Sequence, residues 1–297
     1  MIYIQLNGGL GNQMFQYACG RSLSLKNATK LYLDVKMLNN NKVNTTDTIR
    51  SFELGIFNIR KTETRINNFK KTSFLFFKIL NSITIKFGLN RIQTSKYFVE
   101  REFSYNGGIN SVGKESFISG NWQSPLYFQS YESIIREDFK FPMLSSPNNI
   151  MLLKKIKNTN SVSIHIRRGD YLNSKTYKTH GICSMEYYFR ATSYISETQS
   201  DPVFFIFSDD IKWVKANLSL EFETYYVSEN KDENSYIDMQ LMSECKHNII
   251  ANSSFSWWGA WLNSNPSKIV ISPKRWFKNN EINEKTKDLI PKTWIKF

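Results

Sequence analysis

The chain has 297 residues, of which 41% are hydrophobic and 15% aromatic, and its formal net charge is +13. This composition suffices for one large or two ordinary domains and excludes a chain that is disordered over most of its length. The positive charge favours anionic partners such as nucleotide diphosphates, nucleic acids or an acidic membrane surface. Nucleic acid is poorly supported, because the basic residues are dispersed and no recognition motif is present.

The three cysteines and three histidines show no spacing that is typical of a metal site. The cysteines form no C-x-x-C pair, which argues for a reducing compartment and against a disulfide framework. The sequence contains no signal-peptide pattern and no apolar run of membrane-spanning length. We therefore expect a cytoplasmic protein that holds no metal.

The first elements form a predicted strand–loop–helix–strand unit. Residues 2–6 are predicted as a strand, residues 7–11 as a glycine-rich loop, the residues from Asn12 onward as a helix, and residues 30–34 as a second strand. Glycines in such a loop let backbone N–H groups approach a ligand at the helix N-terminus.

This unit partly matches a dinucleotide-binding fingerprint. Gly9 and Gly11 occupy the first two glycine positions, and Asp34 ends the second strand where a ribose-binding carboxylate would lie. Met14 stands where the third glycine is required. A dinucleotide site and a purely structural turn therefore both stay open.

Residues 65–97 contain no Asp or Glu and place basic residues among phenylalanines, isoleucines and leucines. The segment can form amphipathic helices packed on the first domain, or it can rest on an anionic membrane surface. We favour the first interpretation. Further on, the polar run at residues 145–149 is predicted to be a linker.

The second half of the chain alternates strands with helices. Strands are predicted at residues 161–166, 202–207, 223–227, 247–251 and 268–272, with helices at 184–198, 211–218, 235–245 and 255–262. This alternation predicts a parallel sheet with right-handed crossovers.

Polar groups follow three of these strands where they end. They are Arg-Arg-Gly-Asp at 167–170, Ser-Asp-Asp at 208–210 and Asn-Ser-Ser at 252–254. The carboxyl ends of parallel strands share one edge of a sheet, so these groups can converge. Arginine suits phosphate, serines at a helix N-terminus suit the same anion, and an aspartate can accept from guanine or ribose. The pattern indicates a nucleotide-diphosphate site that needs no metal.

Simpler interpretations of the same residues stay open. Arg167 and Arg168 could form a surface ion pair with a nearby aspartate, and His165 could be a hydrogen-bonded core histidine. The Arg-Gly-Asp tripeptide at 168–170 could be an adhesion motif. Adhesion tripeptides lie on exposed loop tips, however, whereas this one adjoins a strand predicted to be central.

Five blocks of this sequence together resemble the α-1,2-fucosyltransferases of glycosyltransferase family 11. The blocks are N-G-G-L-G-N-Q-M-F-Q-Y-A at 7–18, H-I-R-R-G-D-Y at 165–171, S-D-D at 208–210, N-S-S-F-S-W-W-G at 252–259 and P-K-R-W at 273–276. The second block alone is also found in α-1,6- and protein O-fucosyltransferases. The first and fourth blocks narrow the resemblance, which covers nearly the whole chain except about residues 40–115.

The resemblance implies an α/β fold of GT-B-like type, with two Rossmann-type domains facing a cleft. Residues 1–150 would form the acceptor-side domain, and residues 151–297 a GDP-sugar-binding domain with a parallel sheet. The last roughly 20 residues are expected to pack back on the first domain. Gly11 and Asn12 would face the donor across the cleft.

The resemblance further implies a metal-independent, inverting transfer of L-fucose from GDP-β-L-fucose to the 2-hydroxyl of a terminal galactose. Such an enzyme would act in surface polysaccharide or O-antigen synthesis. We expect it in the cytoplasm, with peripheral contact to the inner face of the membrane.

By the same resemblance, Arg167 would hold the β-phosphate and assist its departure, and Arg168 would support the nucleotide. Asp170 or His165 would take the proton of the acceptor hydroxyl. His165 and Asp210 would contact the guanosine. The complete set of expected donor-binding residues is His165, Arg167, Arg168, Asp209, Asp210, Ser253, Ser254, Phe255, Gly11 and Asn12, with both serines on phosphate.

Two functions of other classes stay open. The Gly9, Gly11 and Asp34 unit could serve an NAD-dependent oxidoreductase. The basic aromatic segment at 65–97, together with the tryptophans, could belong to a non-catalytic protein that binds membranes or carbohydrate.

Overall fold

A computed structural model describes residues 1–38, 50–59, 76, 79–80, 83–84, 86–87 and 94–297. The chain divides into two compact units, Met1–Lys140 and Phe141–Phe297. Each unit contains one sheet in which the paired strands run parallel, with helices in the connections. The expected fold class, two α/β units with a parallel sheet in the second, is confirmed.

The first unit has a four-stranded sheet in the order β2-β1-β4-β3. Its strands are β1 Ile2–Gln5, β2 Leu31–Asp34, β3 Tyr97–Val99 and β4 Ser116–Ser119, and its helices are α1 Leu10–Lys26 and α2 Glu132–Asp138. Helix α1 connects β1 to β2 and begins two residues before the predicted start at Asn12. The predicted strand–loop–helix–strand unit is therefore present.

Much of the basic aromatic segment at 65–97 lies outside the described residues. Within it, residues 76, 79–80, 83–84 and 86 are helical, and β3 begins at residue 97. No helix in the described part of the chain is both long and apolar enough to cross a bilayer.

The second unit has a six-stranded sheet in the order β10-β9-β8-β5-β6-β7. Its strands are β5 Asn160–Ile166, β6 Pro202–Ser208, β7 Thr224–Val227, β8 His247–Ile249, β9 Val270–Ser272 and β10 Ile295–Lys296. Its helices are α3 Pro147–Asn158, α4 Ser174–Thr179, α5 Met185–Thr198, α6 Ile211–Asn217, α7 Tyr236–Glu244, α8 Ser254–Leu262 and α9 Asn280–Asn283. The predicted alternation of strands and helices is confirmed.

Both faces of this sheet are buried. On β6, Phe204 and Ile206 belong to one core cluster, while Phe205 and Phe207 belong to another, and all four are fully buried. A strand covered on both faces has no solvent side, which explains its continuous apolar sequence.

Residues 147–149 begin a helix, although the sequence predicted a linker there. Pro147 stands in the first turn of α3, where its missing N–H costs no hydrogen bond. The Gln240 side chain donates to the carbonyl oxygen of Pro142 at 3.1 Å, so the residues before α3 contact the second unit. The division between units therefore falls at residue 140, ten residues before the expected boundary.

The last residues of the chain belong to the second unit, and the expectation that they pack on the first domain stays a prediction. Strand β10 pairs in parallel with β9. Trp294 packs on Trp257 with ring centroids 5.4 Å apart, and the Trp257 indole donates to the carbonyl oxygen of Leu289 at 2.9 Å. Burial of these apolar side chains ties the last residues to the second unit.

The strand order contains one reversal. From β5 the chain continues to β6 and then β7 on one side, whereas β8, β9 and β10 lie on the other side of β5. In open parallel sheets, ligands bind at the carboxyl ends of the two strands that flank such a switch point. The expected ligand position is therefore between the ends of β5 and β8.

Candidate functional site

The residues predicted to bind an anion lie on both sides of the switch point. Arg167 directly follows β5, and Ser253 precedes helix α8 shortly after β8. Two contacts join these ends: the Tyr171 hydroxyl donates to the carbonyl oxygen of Asn252 at 3.2 Å, and the His165 and Phe255 rings are 5.8 Å apart. The fold therefore brings the predicted groups after β5 and β8 together.

Arg167 is paired with an aspartate that follows the neighbouring strand β6. Its Nη1 lies 3.0 Å from Oδ2 of Asp209, and the two side chains are 24% and 25% exposed. The other oxygen of Asp209 accepts the backbone N–H of Arg168 at 2.9 Å. The ion-pair interpretation of the arginines is thus correct, but the pair is partly buried and lies beside the switch point.

Arg168 contacts two side chains at the start of helix α6. Its Nε lies 3.3 Å from Oδ2 of Asp210, and its guanidinium carbon lies 3.5 Å from the centre of the Trp213 ring. Asp210 is also the N-cap of α6, because its Oδ1 accepts the backbone N–H of Trp213 at 3.2 Å. Trp213 is not among the residues expected from the sequence, although an aromatic residue one turn after a capping aspartate is a signal for such a contact.

His165 is buried and uncharged. Burial, with a further contribution from the Arg167 charge, lowers the pKa of His165 to about 3. Its Nδ1 has no hydrogen-bond partner among the described residues, and its backbone carbonyl accepts from the Tyr188 hydroxyl at 3.1 Å. A group with this pKa is a poor proton acceptor near neutral pH, and the role of Asp170 as a base stays a prediction.

Asp170 begins a short 3-10 helix, Asp170–Leu172, after β5. The backbone N–H of Leu172 donates to the carbonyl oxygens of Arg168 and Gly169 at 3.0 and 3.2 Å. The side chain of Asp170 lies outside what the structure describes.

The N-terminus of α8 forms the other side of the switch point. Ser253 is its N-cap, with its hydroxyl oxygen accepting the backbone N–H of Phe255 at 3.4 Å. Asn252, next to it, donates through Nδ2 to the carbonyl oxygens of His180 and Trp276 at 3.0 and 3.1 Å. Asn252 therefore anchors the loop, while the partial positive charge of the helix end favours an anion.

In the first unit, two fully buried glutamines of the first sequence block order the glycine-rich loop. Gln13 donates to the carbonyl oxygens of Gly8 and Ser51 at 2.9 and 2.8 Å. Gln16 accepts the backbone N–H of Asn7 at 3.0 Å. Gly8 has φ +73°, a left-handed conformation that favours glycine.

Gly11 and Asn12 lie at the start of α1, beside the carboxyl edge of the first sheet. Gly11 is buried, and Oδ1 of Asn12 accepts from Nε2 of Gln123 at 2.9 Å. Their expected position facing the donor stays a prediction.

A carboxylate occupies the place where the dinucleotide interpretation needs a pyrophosphate. Oε2 of Glu53 accepts the backbone N–H of Leu10, the first residue of α1, at 3.0 Å. Burial raises the pKa of Glu53, while the Leu10 hydrogen bond and the charge of Arg50 oppose that shift. A dinucleotide phosphate at this helix end would meet a like charge, so the geometry disfavours the oxidoreductase alternative.

The described residues contain no group of three His, Cys, Asp or Glu side chains arranged to hold a metal ion. The polar groups at the switch point are instead arginines, serine hydroxyls and a helix N-terminus, which are ligands for anions.

The second sheet and its switch point define a doubly wound α/β protein with anion-binding chemistry at the end of its central strand. The family model described as Glycosyl transferase family 11 matches residues 1–297, and the chain therefore belongs to this family of glycosyltransferases.

Three relatives illustrate the match. The chain is 36% identical over 314 residues to the O-antigen biosynthesis glycosyltransferase WbnK of Escherichia coli, covering 99% of each protein. It is 37% identical over 306 residues to an alpha-1,2-colitosyltransferase of Escherichia coli, covering 100% of this chain and 98% of that protein. A shorter match to the human galactoside alpha-(1,2)-fucosyltransferase 1 has 27% identity over 103 residues, or 34% of this chain and 28% of that protein.

Proposed function

We propose that this glycosyltransferase moves L-fucose from GDP-β-L-fucose to the 2-hydroxyl of a terminal galactose, with inversion and without a metal, in O-antigen or other surface polysaccharide synthesis. This proposal is supported by the position of Arg167 after β5 and of the α8 N-terminus after β8, one on each side of the switch point. In this proposal the second unit binds the GDP-sugar and the first unit binds the acceptor.

The proposed transfer requires stabilisation of the departing GDP diphosphate. The bond between C1 of the sugar and the β-phosphate oxygen breaks, and its electron pair stays on the phosphate. A fixed guanidinium and an oriented helix end can stabilise this charge without reorganising during the reaction. The galactose oxygen bonds to C1 from the opposite face, and its proton passes to a base, for which we propose Asp170.

His165 has a different task in this proposal. Its pKa of about 3 keeps the imidazole neutral, so it can offer a hydrogen bond to the nucleotide without adding charge. His165 is the next-to-last residue of β5, two positions before Arg167, and its ring lies 5.8 Å from the Phe255 ring.

A second donor is favoured by one observation, the 37% identity to an alpha-1,2-colitosyltransferase over the whole chain. Colitose is L-fucose without its 3-hydroxyl group. A site that hydrogen-bonds this hydroxyl rejects the deoxy sugar strongly, whereas an apolar site discriminates weakly against the extra hydroxyl. The two donors can therefore be separated by comparing kcat/KM for GDP-fucose and GDP-colitose.

The first test is a calorimetric titration with GDP in the presence of EDTA, with NAD as the comparison ligand. We expect GDP binding without NAD binding, and strongly weakened GDP binding in Arg167→Ala. The matched control is Arg136→Ala, since Arg136 forms an exposed ion pair with Glu132 in the first unit. GDP binding that requires an added divalent cation would refute the metal-free proposal, and binding of NAD alone would support the oxidoreductase.

Transfer is then tested with GDP-fucose and with lactose and N-acetyllactosamine as acceptors. We expect a product that carries an α-linked fucose on O2 of galactose, identified by NMR of the purified glycan. Transfer to another hydroxyl would refute the proposed linkage while leaving the donor site in place.

We also propose a cytoplasmic location with peripheral contact to the membrane face through the basic aromatic segment at 65–97. Its support is a row of exposed apolar side chains at helical spacing: Phe76 is 59%, Ile79 51%, Ile83 45% and Phe87 76% exposed. Basic segments with such a face bind anionic lipid surfaces.

Co-sedimentation with vesicles tests this contact. We expect binding to phosphatidylglycerol-containing vesicles, no binding to pure phosphatidylcholine vesicles, and loss of binding when Phe76 and Phe87 are changed to Ser. Met143→Ser is the matched control, because this side chain is 96% exposed elsewhere in the chain. Equal binding by all variants would refute the assignment to this segment.

A further inference from the structure

Asp209 uses both oxygens of its carboxylate to hold the two arginines that follow β5. Oδ2 contacts Nη1 of Arg167 at 3.0 Å, and Oδ1 accepts the backbone N–H of Arg168 at 2.9 Å. The residue reaches this position because β6, which it follows, pairs with β5 in a register that sets Ser208 opposite Ile166. One carboxylate thus fixes both the side chain of Arg167 and the backbone after it.

The glycine of the same turn makes room for this carboxylate. A Cβ added to Gly169 would lie 2.8 Å from Oδ2 and 3.1 Å from Cγ of Asp209. These distances are shorter than normal contacts, so any larger residue at 169 must displace the Asp209 side chain. The space at Gly169 is therefore part of the Arg167–Asp209 arrangement.

We propose that Asp209 is a positioning residue that aims Arg167 at the β-phosphate of the donor and does not itself contact the nucleotide. This inference rests on the proposed function and gives Asp209 a different task from the donor contact expected from the sequence. An arginine side chain loses rotational freedom when it binds phosphate, and an arginine already held in place loses less. A bare carboxylate beside the diphosphate would repel it, whereas one engaged by two N–H donors is largely compensated.

The proposal predicts that Asp209 acts through Arg167. We expect Asp209→Ala to weaken GDP binding about 10- to 100-fold in the wild-type background, the range for lost hydrogen bonds to charged groups. In the Arg167→Ala background the same change should alter GDP affinity by no more than about twofold, because the partner through which it acts is gone. Calorimetry measures GDP binding by wild type and Asp209→Ala. Ligand-observed NMR at high GDP concentration measures the weaker binding by Arg167→Ala and the double variant.

Two further variants keep the proposal testable if Asp209→Ala folds poorly. Asp209→Asn retains an oxygen that can accept from the Arg167 guanidinium but loses the charge, so its GDP affinity should lie between wild type and Asp209→Ala. Gly169→Ala leaves Asp209 in the sequence but pushes its carboxylate away, so it should weaken GDP binding in the same Arg167-dependent manner. The obstructing atoms belong to the end of a side chain, so we expect Gly169→Ala to melt close to wild type.

Guanosine, which has no phosphate, separates this role from a nucleoside contact. We expect guanosine affinity to be unchanged in Asp209→Ala. A loss of guanosine affinity, or an equal loss of GDP affinity with and without Arg167, would overturn the proposal and make Asp209 a direct ligand. Absence of GDP binding by the wild-type protein would instead overturn the proposed function, and this inference with it.

Discussion

The hydroxyl group of Tyr171 donates a hydrogen bond to the carbonyl oxygen of Asn252 at 3.2 Å. Tyr171 belongs to the loop after β5, and Asn252 to the loop after β8, so the bond crosses the switch point. The Tyr171 ring also lies 5.6 Å from the guanidinium carbon of Arg167. The Tyr171 side chain therefore contacts both Arg167 and the loop that leads into helix α8.

Tyr171→Phe removes this hydrogen bond and keeps the ring. Because a single hydrogen bond contributes about 1 kcal/mol, we expect GDP affinity to fall by roughly three- to tenfold. The measurement is calorimetric titration with GDP. Tyr226→Phe is the matched control, since it loses a similar bond to the carbonyl oxygen of Leu218 within the same unit. Equal effects of the two variants would show that Tyr171 has only a general structural role.

Arg167→Ala should reduce turnover far more than Asp170→Ala. Loss of a preorganised charge stabiliser typically costs about 10²- to 10³-fold in kcat. A base contributes less when the acceptor oxygen carries little charge in a loose transition state. The measurement is kcat with saturating donor and acceptor for both variants. Near wild-type turnover in Arg167→Ala would contradict the proposal that this residue stabilises the departing β-phosphate.

His165 should stay neutral through the physiological pH range, because burial and the Arg167 charge hold its pKa at about 3. The folded state binds this proton less tightly than the unfolded chain does. The contribution of His165 to stability is therefore present above about pH 6.5 and is lost as the pH falls towards 3. NMR of the imidazole C–H protons, assigned with His165→Asn, should show no titration between about pH 5 and pH 8. A midpoint near 6.5 would contradict this prediction.

Asp238 should make stability depend on pH near neutrality. Burial raises its pKa to about 7, while a 2.7 Å hydrogen bond from Asn230 Nδ2 opposes the shift. A raised pKa means that protonation favours the folded state. The contribution of Asp238 is therefore fully present below about pH 4 and is lost as the pH rises through about 7.

Urea unfolding at several pH values, followed by tryptophan fluorescence, measures this effect. We expect the free energy of unfolding to fall by up to a few kcal/mol more in wild type than in Asp238→Asn between pH 5 and pH 8. Asn at 238 can still accept from Asn230 and does not ionise, which makes it the appropriate reference. Parallel pH profiles for the two proteins would contradict the assignment.

Local sequence patterns were enough to predict the fold class and the position of the polar groups along the chain. Strand β6 has a continuous apolar sequence because both of its faces are buried. Such a pattern can be recognised without knowing which distant residues the strand contacts. The parallel sheet follows from the alternation of strands and helices. The expectation that polar residues after β5 and β8 lie together then follows from the shared edge of a parallel sheet.

Local patterns were insufficient where a contact joins distant parts of the chain. Glu53 caps the first turn of α1 from 43 positions away, which no motif at the glycine loop reveals. The polar run at 145–149 was predicted to be a linker, yet Pro147 starts a helix there, because proline suits both a linker and a first helical turn.

The pairing of groups at the site follows from tertiary contacts that no local pattern reveals. Asp209 lies beside Arg167 because β6 pairs with β5, and Asn252 meets Tyr171 because β8 lies on the other side of β5. The chain's final strand pairs with β9 in the second sheet, where Trp294 is buried and Ile295 packs against the core. Residue types and their spacing determine the available chemistry, but strand order determines which side chains come within hydrogen-bond distance, and strand order depends on packing across the whole unit.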